Sequence, residues 1–165
     1  MVRRLLIMRH AKSSWDSPAQ SDHERPLNKR GRRAADAVGK TLYARGYAPQ
    51  LIWSSDAART RETATLLIRA IPGAQTVTYS SGFYHASAAN VLDMAAQFGE
   101  PEDTETLMWL GHNPGWSDLF EYFTGHAHKF PTGACAVMER RGAGDWLAPQ
   151  SWSLKDMILP RDLDG

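Results

Sequence analysis

Four consecutive apolar residues, Leu5-Leu6-Ile7-Met8, end abruptly at Arg9-His10, and this stretch constrains the fold more than any other. Bounded by charge, the run reads as a short, fully buried strand. The pattern returns at Leu51-Ile52-Trp53-Ser54-Ser55, around residues 75–79, and at Thr106-Leu107-Met108-Trp109-Leu110. Helical spacing fills the intervals. Ala34, Ala35, Val38 and Leu42 mark one face of a helix over about residues 28–45, capped by Asn28. Thr60, Ala64, Leu67 and Ile71 mark a second, over about residues 57–70, which Asp56 is placed to cap. Val91, Leu92, Ala95 and Phe98 form the inward face of a third, over about residues 87–98, and Trp116, Leu119, Phe120 and Phe123 that of a fourth, with Asn113 as its cap and Pro114 as its first residue.

Strands alternating with helices predict a three-layer α/β/α sandwich around a mostly parallel sheet covered on both faces. Two further β-like runs, residues 134–139 and 151–158, extend that sheet, and the tail over 160–165 is expected to fray. The 165 residues contain no internal repeat and no long linker, so residues 1–165 are read as one domain.

In such sheets ligands collect beyond the carboxyl ends of the strands. Arg9 and His10 follow the first strand, Arg59 lies in the first turn of the second helix, and His112 follows the fourth strand beside a helix start. Taken alone, His10 could serve as base, metal ligand or nucleophile, or stand at a solvated polar turn. Two cations beside it disfavour a metal dication and suit a phosphoryl group, whose oxygens accept the forked hydrogen bonds of Arg. Arg59 at a helix N-terminus opposes the helix dipole by roughly 0.3–1 kcal/mol unless an anion binds there. Two imidazoles and two guanidiniums at one edge, with no carboxylate cluster for a metal, fit phosphoryl transfer to an imidazole.

Other chemistries are excluded or weakened. No G-x-x-x-x-G-K-[ST] loop and no G-x-S-x-G elbow occurs. Cys135 and Arg141 have C-x5-R spacing, but the residues between contain no glycine and read as strand rather than as a phosphate cradle. His126 and His128 lack further obvious metal ligands, and His23 reads as loop surface. The basic residues Arg25, Lys29, Arg30, Arg32 and Arg33 have no interleaved aromatics, so they read as a solvated face rather than a nucleic-acid site, with Arg25 the member best able to turn toward His10. A net charge of +1 adds no general attraction to nucleic acid or membrane. The single cysteine, the absence of a signal core after Arg3-Arg4 and the lack of a membrane-length apolar run make the cytoplasm the expected location.

The ordered set Arg9-His10, Ser54-Ser55-Asp56-Ala57-Ala58-Arg59-Thr60-Arg61-Glu62-Thr63-Ala64 and Gly111-His112 resembles the histidine phosphatase superfamily, whose fold is phosphoglycerate-mutase-like. The stretches Ser21-Asp22-His23-Glu24-Arg25-Pro26-Leu27-Asn28-Lys29-Arg30-Gly31 and Gly111-His112-Asn113-Pro114-Gly115 resemble its SixA-type phosphohistidine phosphatase branch. The resemblance covers about residues 3–140. It implies that His10 carries the phosphoryl group covalently until water removes it, that Arg9, Arg59 and His112 hold the phosphoryl oxygens, and that neither metal nor organic cofactor takes part. Lys12, Arg25 and His85 are further candidates for substrate binding, Lys12 being either a third cation of the pocket or a solvated side chain. The implied substrate is phosphohistidine on a protein. The alternatives are a small phosphate ester and, in another class, a module that binds phosphate without turnover.

Two departures from the family pattern bear on substrate. Ala11 and Lys12 follow His10 where the family commonly has Gly. Residues 80–88 contain no Asp or Glu, whereas many members carry a carboxylic acid there to protonate the leaving oxygen. Imidazole leaves from a phosphoramidate more readily than an alkoxide from an ester, so the missing acid favours phosphohistidine, unless a carboxylate from residues 16–24 supplies the proton. The short chain, without a long insertion to act as a lid, predicts an open pocket.

Overall fold

The computed structural model describes residues 1–16 and 20–163. Its elements are β1 (Arg4–Arg9), α1 (Lys29–Ala44), β2 (Leu51–Ser55), α2 (Ala58–Ala70), β3 (Thr76–Ser80), α3 (Ala88–Phe98), β4 (Thr106–Gly111), α4 (Gly115–Thr124), β5 (Cys135–Arg140) and β6 (Trp152–Ile158). The six strands form one sheet in the order β3-β2-β4-β1-β5-β6. β1 pairs in parallel with β4, and β2 with both β4 and β3, whereas β5 is antiparallel to its neighbours β1 and β6. Only β5 therefore runs against the others, as a mostly parallel sheet requires.

Alternation along β1 builds the three layers. Leu5 and Ile7 pack with Trp109 of β4 and with Val91, Ala95, Trp116 and Phe120 of α3 and α4. Leu6 and Met8 point the other way, into Val38 and Leu42 of α1 and Ala64 and Leu67 of α2. All four β1 side chains are fully buried, each worth about 1.5–3 kcal/mol relative to exposure. The strand that carries His10 is thus anchored from both faces.

Asn28 caps α1, its side chain accepting from Gly31 N at 2.8 Å. The helix starts against the loop after β1: Asn28 N donates to the Lys12 carbonyl at 3.0 Å, and a Cβ on Gly31 would stand 2.0 Å from that same oxygen. Only glycine permits this approach.

Local rules gave way in four places. α2 has Ala57 as its N-cap, without a side-chain cap, because the Asp56 carboxylate bonds His23 Nε2 at 2.9 Å instead. Asn113 lies one residue outside the cap of α4, where its side chain accepts from Ser117 N at 3.2 Å. Phe98, expected inward, is 43% exposed at the last residue of α3, touching Trp53 edge-on at the sheet rim. Within the tail, Pro160–Asp162 form a 3-10 turn against α1 rather than fraying, and residues 164 and 165 lie outside the described ones. No helix among the described residues is long and apolar enough to cross a membrane.

Candidate active site

The parallel register sets Arg9 of β1 beside Gly111 of β4, and Leu110 of β4 beside Ser54 of β2. His10, His112 and Ser55 therefore leave the sheet at one edge. Arg59, in the first turn of α2, stands over the same edge. The four residues singled out as the phosphoryl site are brought together, with the His10 and His112 rings 5.3 Å apart between centroids.

His10 is held at several points. Its backbone N–H donates to Gly111 O at 3.0 Å, and Gly133 N donates to its carbonyl at 2.8 Å. Its ring Nδ1 lies 2.7 Å from Ala11 O, and since a carbonyl only accepts, Nδ1 carries the proton. Nε2 then presents its lone pair, toward Arg59 Nε at 3.3 Å. Burial, reinforced by the charges of Arg59, Arg9 and Arg25, pushes the imidazole pKa down to about 3, so the ring is neutral at physiological pH. Ala11 N donates to Thr63 Oγ1 at 3.2 Å, tying this turn to α2.

His112 shares a 2.8 Å hydrogen bond between its Nε2 and Ser55 Oγ, while its Nδ1 is buried without a partner among the described residues. Burial, with His10, Arg59 and His85 as neighbours, lowers its pKa to about 2. Arg9 donates through Nη1 to Phe130 O at 3.0 Å and keeps a buried Nε without a partner among the described residues. Burial and the Arg59 charge lower its pKa from the usual guanidinium value.

The carboxylate of Asp22, on a 3-10 turn over Asp22–Glu24, completes the cluster. Its Oδ2 accepts from Arg59 Nη2 at 3.0 Å, from the Tyr84 hydroxyl at 2.6 Å and from His85 Nε2 at 3.0 Å, and its Oδ1 from Arg25 Nη2 at 3.1 Å. Partial burial alone would raise its pKa, but the hydrogen bonds from Tyr84, Arg25 and Arg59 hold the carboxyl well below the usual carboxylate range. Tyr84 is correspondingly pushed up, by burial and by Asp22. Arg25 turns toward the site as expected, bonding Ser13 Oγ and lying 3.5 Å over the centroid of the exposed Trp15 ring.

The open pocket expected from chain length is not what the structure has. His10, Arg59 and His112 are only 5, 3 and 4% exposed, because the Asp22 turn lies across the donors and satisfies them with a carboxylate. Buried cationic donors require an acceptor, and this loop supplies one. Lys12 is exposed and lines a separate cleft with Arg30, Pro131 and Arg161, making no side-chain bond to the Asp22 cluster among the described residues.

Sequence reasoning pointed to residues 16–24 as a source of a carboxylate without singling out Asp22, and it missed Tyr84, Ser55 and Thr63. The one local signal was Asp22 standing three residues before Arg25. His23 is not plain loop surface, since it bonds Asp56 and meets the Tyr84 ring edge-on at 4.8 Å. Cys135 is fully buried within β5 and burial pushes its thiol pKa up, so the C-x5-R segment is a strand and not a cradle. His126 and His128 are exposed, as are Lys29, Arg30, Arg32 and Arg33 of α1. No group of three or more His, Cys, Asp or Glu among the described residues is arranged to hold a metal.

A neutral imidazole with a fixed lone pair, ringed by preorganised donors, is equipped to receive a transferring tetrahedral oxyanion. The chain is similar to several known proteins. A chain from Agrobacterium tumefaciens, provisionally assigned as the phosphohistidine phosphatase SixA, is 30% identical and superposes with a TM-score of 0.82 over 97% of this chain and 99% of its own. A second, from Nakamurella multipartitia and assigned in the same provisional way, is 29% identical with a TM-score of 0.78 over 96% of each chain. An uncharacterised chloroplastic protein of Arabidopsis thaliana is 34% identical over 96% of this chain and 78% of its own length. Residues 5–109, from the β1 run through Trp109, match the model of the histidine phosphatase superfamily, branch 1, and the chain belongs to that superfamily.

Proposed function

We propose that this protein is a phosphatase that passes the phosphoryl group through His10, and that its substrate is phosphohistidine on another protein. The observation that carries the reading is the state of His10. Its Nδ1 proton is committed to Ala11 O, its Nε2 lone pair faces Arg59, and its pKa is down near 3, so the nucleophile needs no activating base at neutral pH. Nε2 attacks phosphorus, the bond to the leaving group breaks, and Arg9 and Arg59 are placed to neutralise the phosphoryl oxygens while the neutral His112, its Nε2 bonded to Ser55, is placed to donate to them from Nδ1. Water then releases phosphate and restores His10.

Two points support phosphohistidine. Residues 80–88 carry no carboxylic acid, and the carboxylate that does reach the site, Asp22, is held ionised and has no proton to give to an alkoxide. The structural relatives at about 30% identity are provisionally assigned to the same activity. One observation favours a second reading, a small phosphate ester: the burial of His10 beneath the Asp22 turn suits a compact substrate better than a histidine on a protein surface.

The test is phosphate release by wild type and His10→Ala on a phosphohistidine-bearing protein and on a panel of small phosphate esters, with acid quenching to trap the phosphoenzyme. Faster release from the protein, with an acid-labile phosphoryl group in wild type only, is the expected result. Substantial turnover by His10→Ala would remove the nucleophile assignment, and preference for an ester would make the second reading the right one.

A further inference from the structure

His85 and Asp22 have no part in the scheme above, yet the fold goes to some length to pair them. His85 adopts a left-handed backbone conformation, φ 52°, which costs a non-glycine residue energy and persists where the surroundings impose it. The surroundings are specific. Phe83 is fully buried on one side of the Tyr84-His85 dipeptide and Ala86 on the other is 9% exposed, while Ser87 begins α3 by accepting from Asn90 N at 3.2 Å. The Ala86 carbonyl is pressed against α4 at Gly115, where a Cβ would stand 2.3 Å from it. Gly115 is the residue that allows this approach. His85 is thereby fixed between two buried anchors, with its Nε2 on Asp22 at 3.0 Å and its ring 5.8 Å from that of His112.

We infer that His85 is the general acid and base of this phosphatase, exchanging its proton through Nδ1, with Asp22 as the positioning residue that holds the ring by Nε2. The inference rests on the phosphatase reading. Imidazole is the side chain whose protonation changes near physiological pH, and His85 stands on the segment after β3 that lacks any carboxylic acid. In the first step His10 Nε2 bonds to phosphorus while the bond from phosphorus to the leaving nitrogen or oxygen breaks. The leaving atom keeps the electron pair and takes a proton from the His85 imidazolium, which becomes neutral. In the second step a water oxygen bonds to phosphorus and gives its proton to His85. The P–Nε2 bond breaks, its electron pair returns to His10, phosphate departs, and His85 is again protonated. Asp22, ionised throughout, holds the ring by its Nε2. The other groups facing His85 are the Tyr84 ring at 4.1 Å and His112, and Arg59 and Arg25 reach the pair through the Asp22 carboxylate.

The test compares 4-nitrophenyl phosphate, whose leaving group needs no proton, with phenyl phosphate, whose leaving group does. His85→Asn tolerates the positive φ and cannot deliver a proton. Its loss of kcat/KM on phenyl phosphate is expected to exceed its loss on 4-nitrophenyl phosphate by about 100-fold, within the range for general acid catalysis. Added imidazole is expected to rescue His85→Gly on phenyl phosphate. Asp22→Asn is expected to lose more kcat/KM on phenyl phosphate than on 4-nitrophenyl phosphate, because the His85 ring has lost the anchor on its Nε2. Equal losses on both esters in His85→Asn would overturn the assignment, and equal losses on both in Asp22→Asn would overturn the positioning role of Asp22, while leaving the phosphatase reading intact. A wild type that turns over neither ester nor phosphohistidine would overturn both.

Discussion

Arg59 and Asp22 form an ion pair of 3.0 Å in which the arginine side chain is 3% exposed and the aspartate 38%. The same guanidinium reaches His10 Nε2 through its Nε, so one side chain holds both the proposed nucleophile and the carboxylate that covers it.

In the proposed reaction phosphoryl charge develops beside the Arg59 donors, so Arg59→Ala is expected to lose about 2–4 kcal/mol of transition-state stabilisation, on the order of 30- to 1000-fold in kcat/KM. Arg59→Lys should recover little of it, since an ammonium cannot serve two acceptors with the planar geometry of a guanidinium. Steady-state kinetics on any accepted substrate reads this directly, and a near-normal Arg59→Ala would place the residue outside the phosphoryl site.

Asp22 competes with substrate oxygens for Arg59, Arg25 and Tyr84. Removing its charge in Asp22→Asn is expected to tighten binding of an inert oxyanion such as tungstate by about fivefold or more, the scale of one like charge removed about 4 Å away even at the dielectric of bulk water. Calorimetric titration of both proteins measures it. Unchanged affinity would mean that the carboxylate and the oxyanion do not share donors.

The two buried histidines make stability pH-dependent. Folded-state values are pushed down to about 3 for His10 and about 2 for His112, whereas an unfolded imidazole titrates near ~6.5. Below about pH 6.5 the unfolded chain therefore binds protons that the folded chain refuses. Their contribution is full above that pH and is lost as pH falls toward the folded values, by up to about 1.4 kcal/mol per pH unit for each histidine. Thermal unfolding between pH 7 and 4 should show a falling Tm, with a shallower slope in His112→Asn. Parallel slopes in the two proteins would contradict the buried, neutral state of His112.

Gly31 tests the coupling between α1 and the loop that carries His10. A methyl group there meets the Lys12 carbonyl at 2.0 Å, so Gly31→Ala must displace either the helix start or the residues after His10. The expected cost is about 1–3 kcal/mol, as for other overpacked sites, read by urea unfolding. A drop in kcat should accompany it because His10 moves with Lys12. Wild-type stability and activity together would show that the contact relaxes freely.

Much of the fold was legible because it rests on local pattern. The run Leu5-Leu6-Ile7-Met8 is apolar on both faces, and the structure buries both. The stripe Ala35, Val38 and Leu42 repeats at helical spacing, and Asn28 caps as its position suggests. Asp56 failed as a cap because a partner distant in sequence, His23, offered its carboxylate a stronger bond. Phe98 failed as a core residue because spacing identifies a face without saying where the neighbouring layer stops.

The sequence by itself determined that Arg9, His10, Arg59 and His112 lie at strand ends and a helix start, since apolar runs and the turn residues that end them are properties of a few consecutive residues. Parallel strand order then forces those ends to one edge. Only the tertiary structure decided what meets them there. Asp22 and Arg59 are 37 residues apart, and Asp22 and His85 are 63 apart, so no local period announces either contact. Whether the pocket stands open or lies beneath a carboxylate depends on how a polar loop folds back over buried donors. That is decided by the need to satisfy those donors once they leave water.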